Sequence, residues 1–161
     1  MSPTPARFHD PGATRADFTS SILVRCPRCE RIAHVERRPR TPPGADGGVP
    51  SRPRLVCRSC GLCRDDGRPL RSSRHPTACS CPALWLRADT RHGELWAYNL
   101  PHLDLIRRFV AAGLRERAPW YDHGRKMTLV ARLPAWIKSA KNRDEVLRSV
   151  DRLRATVIAP G

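Results

Sequence analysis

The sequence has no apolar run approaching the roughly 18 to 20 residues that a membrane span requires. Its first twenty residues, mostly Pro, Thr, Asp, Arg and scattered apolar residues, contain no apolar leader segment. The expectation is a soluble, cytoplasmic protein with no membrane partner. Lysine is nearly missing: Lys126, Lys138 and Lys141 are the only three, against 27 arginines. Acidic residues are also few, 15 against 30 Lys+Arg, which leaves a net charge of +15. There is no Gly-rich phosphate loop, no nucleophile elbow and no helix bearing paired zinc-binding histidines. The six histidines are scattered. His102 reads as a surface or capping group and His34 as a packing or solvent-facing residue, while Asp65-Asp66 reads as a solvated turn. No constellation supports catalysis, and the expectation is a protein that is not an enzyme.

The charge excess favours an acidic partner. Arginine suits nucleic acid, because its planar guanidinium bonds phosphate and guanine edges bidentately and stacks on bases. With 16 Pro and 10 Gly also present, part of the arginine bias is accounted for by a GC-rich coding sequence. Residues 1–81 carry a net +8 and residues 82–161 a net +7, so no tail holds the surplus. Any basic face is made by folding.

Patterning points to an α+β chain. Residues 1–20, with Pro3, Pro5 and Pro11, read as a disordered tail. β-type runs occupy Ser21–Arg25, Arg31–Val35 and Arg54–Val56, with a Pro/Gly-rich loop over 39–53. Residues 64–81 read as an irregular linker. Beyond Pro82, the runs Ala83–Arg87 and Glu94–Tyr98 flank a turn-like stretch and form a hairpin that sets Trp85 and Trp96 across from each other. Two or three helices follow. Leu103, Ile106, Val110 and Leu114 recur at helical spacing, with Pro101 in the first turn and Asn99 as cap. Leu129–Lys141 is a short helix interrupted by Pro134. Asn142 and Glu145 fit a capping box ahead of a last helix striped by Val146, Val150, Leu153 and Val157.

The seven cysteines carry the strongest signal. Cys26-Pro-Arg-Cys29 and Cys57-Arg-Ser-Cys60-Gly61 are two pairs with a two-residue gap, each led by a β-type run. Such a gap lets both thiolates of a knuckle reach one metal, and Gly61 allows a tight turn beyond the last ligand. Two knuckles supply a tetrahedral four-cysteine zinc site, closed and therefore structural. Iron at the same four thiolates is the alternative metal, and disulfides are disfavoured without a secretion signal. Cys63, Cys79 and Cys81, with His75 or His92, are candidates for a second zinc; free thiols are the plainer reading.

On these residues, the segment 21–61 resembles a zinc ribbon of the transcription-factor IIB type: strand, CxxC knuckle, hairpin with a long loop, strand, CxxCG knuckle. The C-terminal stretches Leu84-Trp-Leu, Leu95-Trp-Ala-Tyr-Asn99 and Leu133-Pro-Ala-Trp-Ile-Lys-Ser-Ala-Lys-Asn-Arg143 look like the second half of a group of bacterial zinc-ribbon proteins of unassigned function. The resemblance implies an N-terminal β zinc ribbon over 21–63, and over 82–161 a β-hairpin followed by a helical region. It is specific for metal and local fold and says little about activity.

Trp85, Trp96, Trp120 and Trp136 all lie in the second half. Trp85 and Trp96 suit a small core, and Trp136 sits among basic residues in a region that reads as a helix corner or a functional surface. Two partners fit the whole. A nucleic acid, DNA or RNA, would meet Arg25, Arg28, Arg31 and Arg58 around the knuckles and Lys138, Lys141 and Arg143 on the helices. An acidic protein would make the chain an interaction adaptor on a ribbon scaffold. A thiol-based sensor using Cys63, Cys79 and Cys81 is the third reading.

Overall fold

A computed structural model describes residues 7–37, 53–65, 82–116 and 128–158, with residues 114–116 described by backbone alone. The architecture is α+β, with an antiparallel sheet in the N-terminal half and helices toward the C-terminus. The described residues form two compact units, one running from Thr19 to Leu86 and the other combining residues up to Phe18 with those from Arg87 onward. No helix among them is long and apolar enough to cross a membrane.

The unit from Thr19 to Leu86 is built on a four-stranded antiparallel sheet. Its strands are β2 (Ser21–Arg25), β3 (Ile32–Arg37), β4 (Pro53–Val56) and β5 (Cys63–Asp65), in that spatial order. β3 alternates, with Ala33 and Val35 buried while His34 and Glu36 are partly exposed. Such period-two burial fits a sheet with one covered face. β2 departs from it, because Ile22, Leu23 and Val24 are all buried. Residues Ala83 to Trp85 run along the free edge of β2: Arg25 N donates to the Ala83 carbonyl at 2.8 Å, and Trp85 N donates to the Leu23 carbonyl at 3.0 Å. The hairpin expected from Ala83–Arg87 therefore starts later. Trp85 belongs with β2 and stays partly exposed.

The second unit contains a parallel pair, β1 (Arg7–His9) against β8 (Leu114–Glu116). A disordered tail over residues 1–20 is the sequence expectation, and from Arg7 onward the structure differs. Phe8 is buried edge-on against Phe109, with ring centroids 5.4 Å apart. Asp10, also buried, accepts from Gly12 N at 2.9 Å and from Thr128 Oγ1 at 2.9 Å. Leu129 N donates to the Ala13 carbonyl. Residues separated by more than a hundred positions thus give the segment a core and hydrogen-bond partners that its own composition lacks.

The hairpin is β6 (Arg87–Thr90) and β7 (Gly93–Trp96), closed at Arg91-His92. Trp96 lies opposite Arg87 and is exposed, so neither Trp85 nor Trp96 fills a core or meets the other across the hairpin. α1 (Leu100–Ala111) starts as expected. Asn99 Oδ1 accepts from His102 N at 3.0 Å, and Asn99 Nδ2 donates to the Phe18 carbonyl at 2.9 Å. Its buried face is His102, Leu103, Leu105, Ile106, Phe109 and Val110, and each large apolar side chain so buried contributes about 1.5–3 kcal/mol. The helix ends before Leu114, which belongs to β8 instead. α2 (Ala135–Lys138) is a single turn that Pro134 initiates rather than interrupts, since a proline needs no amide partner just ahead of a first turn. α3 (Arg143–Ile158) buries Val146, Val150 and Leu153 as its stripe indicates. Asn142 is not its free cap. A 3-10 turn over Ala140–Asn142 runs straight into α3, and Asn142 Nδ2 donates to the Trp136 carbonyl at 3.0 Å.

Candidate metal centre

The two knuckles share one local geometry. Cys26 N donates to the Arg31 carbonyl at 2.8 Å, and Cys57 N donates to the Leu62 carbonyl at 2.8 Å, each closing a turn around its CxxC pair. Each turn places the residue after its second cysteine in the left-handed region: Gly61 at φ 70° and Glu30 at φ 59°. Glycine occupies that region without cost, whereas a residue with a Cβ is strained there by about 1–2 kcal/mol. Only Gly61 is legible as a turn signal. Glu30 is found by noticing that it stands at the same offset from Cys26 as Gly61 does from Cys57.

The sheet register brings the knuckles together. β2 ends at Arg25 and β4 at Val56, each immediately before its first cysteine, and β3 lies between them. The sulfurs of Cys26, Cys29, Cys57 and Cys60 all lie within 4.8 Å of one another, with Cys26 to Cys60 at 3.7 Å and Cys29 to Cys57 at 3.6 Å. A tetrahedron with metal–sulfur bonds near 2.3 Å has sulfur–sulfur edges of about 3.8 Å. A disulfide would need about 2.05 Å. Cys26 and Cys57 are buried, while Cys29 and Cys60 are partly exposed.

Electrostatics fit a cation at the centre. Burial opposes ionisation of Cys57, yet the Cys60 amide and the thiols of Cys60, Cys26 and Cys29 outweigh it and pull its pKa to about 6. The Arg31 amide favours the Cys29 thiolate, but burial and the crowding of the other three sulfurs push that thiol up to about 12. The first thiolate is welcome and a further one is resisted, as expected of four sulfurs sharing one site without a counter-charge. A divalent ion removes the resistance. The donor set and edge lengths fit zinc, and four sulfur ligands leave no open coordination position.

Among the described residues there is no second group of this kind. Cys63 is exposed on β5 and accepts from Arg54 Nε at 2.7 Å. His75, Cys79 and Cys81 lie outside the described residues. His92 is in the other unit, at the hairpin turn, stacked on Trp136 and 3.4 Å from Glu145 Oε2. Glu145, expected in a capping box, is engaged there and by Arg91 at 2.8 Å.

The candidate nucleic-acid contacts divide. Arg25, Arg28, Arg31 and Arg58 are all exposed, each within two residues of one of the four clustered cysteines, and none has a carboxylate among the described residues at ion-pair distance. Arg25 lies over the Trp85 ring, 5.2 Å from its centroid. In the other unit, Lys141 is exposed, but Lys138 Nζ donates to the Ala131 carbonyl at 2.6 Å and burial lowers its pKa. Arg143 is partly buried and donates to the Ala112 carbonyl at 3.3 Å, next to the C-terminal end of α1. Lys138 and Arg143 therefore hold the helical corner together. Trp136 does too: it packs against the hairpin at Gly93, where an added Cβ would lie 3.3 Å from its Nε1. Trp120 lies outside the described residues.

His102 is no surface group. It is buried against Phe18, Trp96 and Tyr98, and its Nδ1 accepts from Tyr98 N at 3.2 Å. Burial pushes its pKa down to about 4. Comparison with protein-family models, with curated proteins and with solved structures finds no match.

Proposed function

We propose that the four cysteines hold one structural zinc in a zinc ribbon of the transcription-factor IIB type, and that this unit is a non-enzymatic nucleic-acid-binding module. The zinc reading is supported by the convergence of Cys26, Cys29, Cys57 and Cys60. The observation carrying the partner is the gathering of four exposed arginines around the two knuckles, whereas several arginines elsewhere are paired. Arg87, Arg91, Arg107 and Arg154 are each paired with a carboxylate, namely Glu94, Glu145, Asp151 and Asp104. The four arginines beside the knuckles meet none among the described residues. Four zinc-bound thiolates would leave the centre at a net charge of about −2, so these guanidinium groups both offset that charge and stay available to phosphate.

The test has two parts. Metal analysis of the purified protein is expected to give one zinc per chain, and its absence overturns the ribbon reading. Binding to nucleic acid is expected to weaken with salt at a log–log slope of about −3, as four phosphate contacts imply. No binding at low salt, together with an acidic protein that co-purifies after nuclease treatment, overturns the nucleic-acid reading in favour of an adaptor.

A further inference from the structure

The knuckle arginines differ in one respect. Arg28, Arg31 and Arg58 project from turns, whereas Arg25 lies over an indole. The backbone fixes that pair. Arg25 N and the Ala83 carbonyl, then Trp85 N and the Leu23 carbonyl, lock residues 83–85 to the edge of β2, with Val24 bridged to Leu84 between them. Arg25 is exposed, Trp85 is partly exposed, and Arg25 directly precedes the ligand Cys26.

A guanidinium held on an aromatic face is a flat, cationic surface whose outer side stacks a further π-system. Nucleobases offer such faces only when unpaired, because in a duplex both faces are already stacked on neighbouring base pairs. Positive charge along the backbone, combined with aromatic faces on which bases stack, is how single strands are held without sequence preference. Binding through phosphate alone would need no indole and would not distinguish single strand from duplex in this way.

We infer that the Arg25–Trp85 pair is a stacking platform for an unpaired nucleobase, and that the knuckle surface takes single-stranded rather than duplex nucleic acid. The inference rests on the nucleic-acid reading above. It leaves phosphate attraction to the four guanidinium charges together, and assigns strand-type discrimination to the planar face of Arg25 on Trp85.

The experiment compares a mixed-sequence DNA strand of about 20 nucleotides, long enough for one site, with the same strand annealed to its complement. Fluorescence anisotropy at fixed low salt reads both affinities for the full chain. The single strand is expected to bind more tightly. Arg25→Lys, which keeps the charge and loses the planar face, is expected to weaken the single strand about ten-fold and leave the duplex unchanged. Trp85→Leu is expected to do the same while retaining zinc. Arg28→Ala is expected to weaken both alike. If both probes bind equally well, or if Arg25→Lys alters neither, the platform is overturned while the nucleic-acid reading stands. If neither probe binds, and an RNA strand of the same sequence does not bind either, both fall.

Discussion

Replacing His102 with glutamine removes the one buried imidazole among the described residues and should flatten a pH dependence expected of the wild type. His102 is enclosed by Phe18, Trp96 and Tyr98, and its Nδ1 is occupied by the Tyr98 amide, so the ring is neutral with its proton on Nε2. Burial places its pKa at about 4 in the folded protein, against an ordinary 6.5. The sign follows from which state takes the proton first. Above pH 6.5 both states are neutral and the group has no effect. As pH falls from 6.5 toward 4, the unfolded chain binds a proton that the folded chain refuses, so stability is lost. At pH 5 the loss is about 2 kcal/mol, and it approaches about 3 kcal/mol near pH 4. Urea unfolding of wild type and His102→Gln, followed by helical circular dichroism from pH 8 to pH 4.5, isolates this contribution. Acid release of any bound zinc affects both proteins and cancels in the difference. The gap between the two stabilities should therefore shift by about 2 kcal/mol from pH 8 to pH 5. A constant gap, or a His102 resonance titrating near 6.5, would refute the reasoning and show that water reaches the ring.

Removing zinc by chelation, or substituting Cys57→Ser, should abolish slow amide exchange at Ile22, Leu23 and Val24, because metal binding in such sites contributes about 10 kcal/mol to folding; protection that survives would mean the sheet folds without its metal. Asp10→Ala strands the Thr128 hydroxyl and the Gly12 amide in a buried site, and thermal or urea denaturation should show a loss of about 2–3 kcal/mol. A loss under about 1 kcal/mol would show that this clasp does not secure the N-terminal segment. Gly93→Ala should cost about 2 kcal/mol and shift the Trp136 emission, since Gly93 sits at φ 136° with that indole beside it. Glu30→Gly should stabilise the first knuckle by about 0.5 kcal/mol, whereas Gly61→Ala, with open space around it, should cost about 1 kcal/mol through backbone strain alone. Urea midpoints of the two variants moving in the same direction would contradict the left-handed assignment.

The parts of this protein readable from sequence are those whose determinants are local. A two-residue gap between cysteines constrains where both sulfurs point, so Cys26 with Cys29, and Cys57 with Cys60, are identifiable as candidate ligand pairs, and the four sulfurs do converge. Asn99, Pro101 and the spacing of Leu103, Ile106 and Val110 specify a helix start and its buried face within a few turns. Val146, Val150 and Leu153 do the same for α3. The net charge of +15 is equally a property of the sequence alone.

Tertiary structure decided whatever depends on partners distant along the chain. Residues 7–18 have too few apolar side chains to order themselves, and they do so because Phe109, Thr128 and the β8 backbone meet them from the far end. Asn142 and Glu145 carry the residue types of a capping box, but Trp136 and the Arg91-His92 turn compete for them and win. Trp85 and Trp96 are equally spaced about a turn, yet β2 has a free edge that claims residues 83–85 and moves the hairpin register. The charges are sorted in the same way. Sequence counts thirty basic residues, and only the fold shows which guanidinium groups find carboxylates and which lie exposed beside the four clustered cysteines. Ion pairs and strand edges are matched through space, and a linear pattern does not specify that matching.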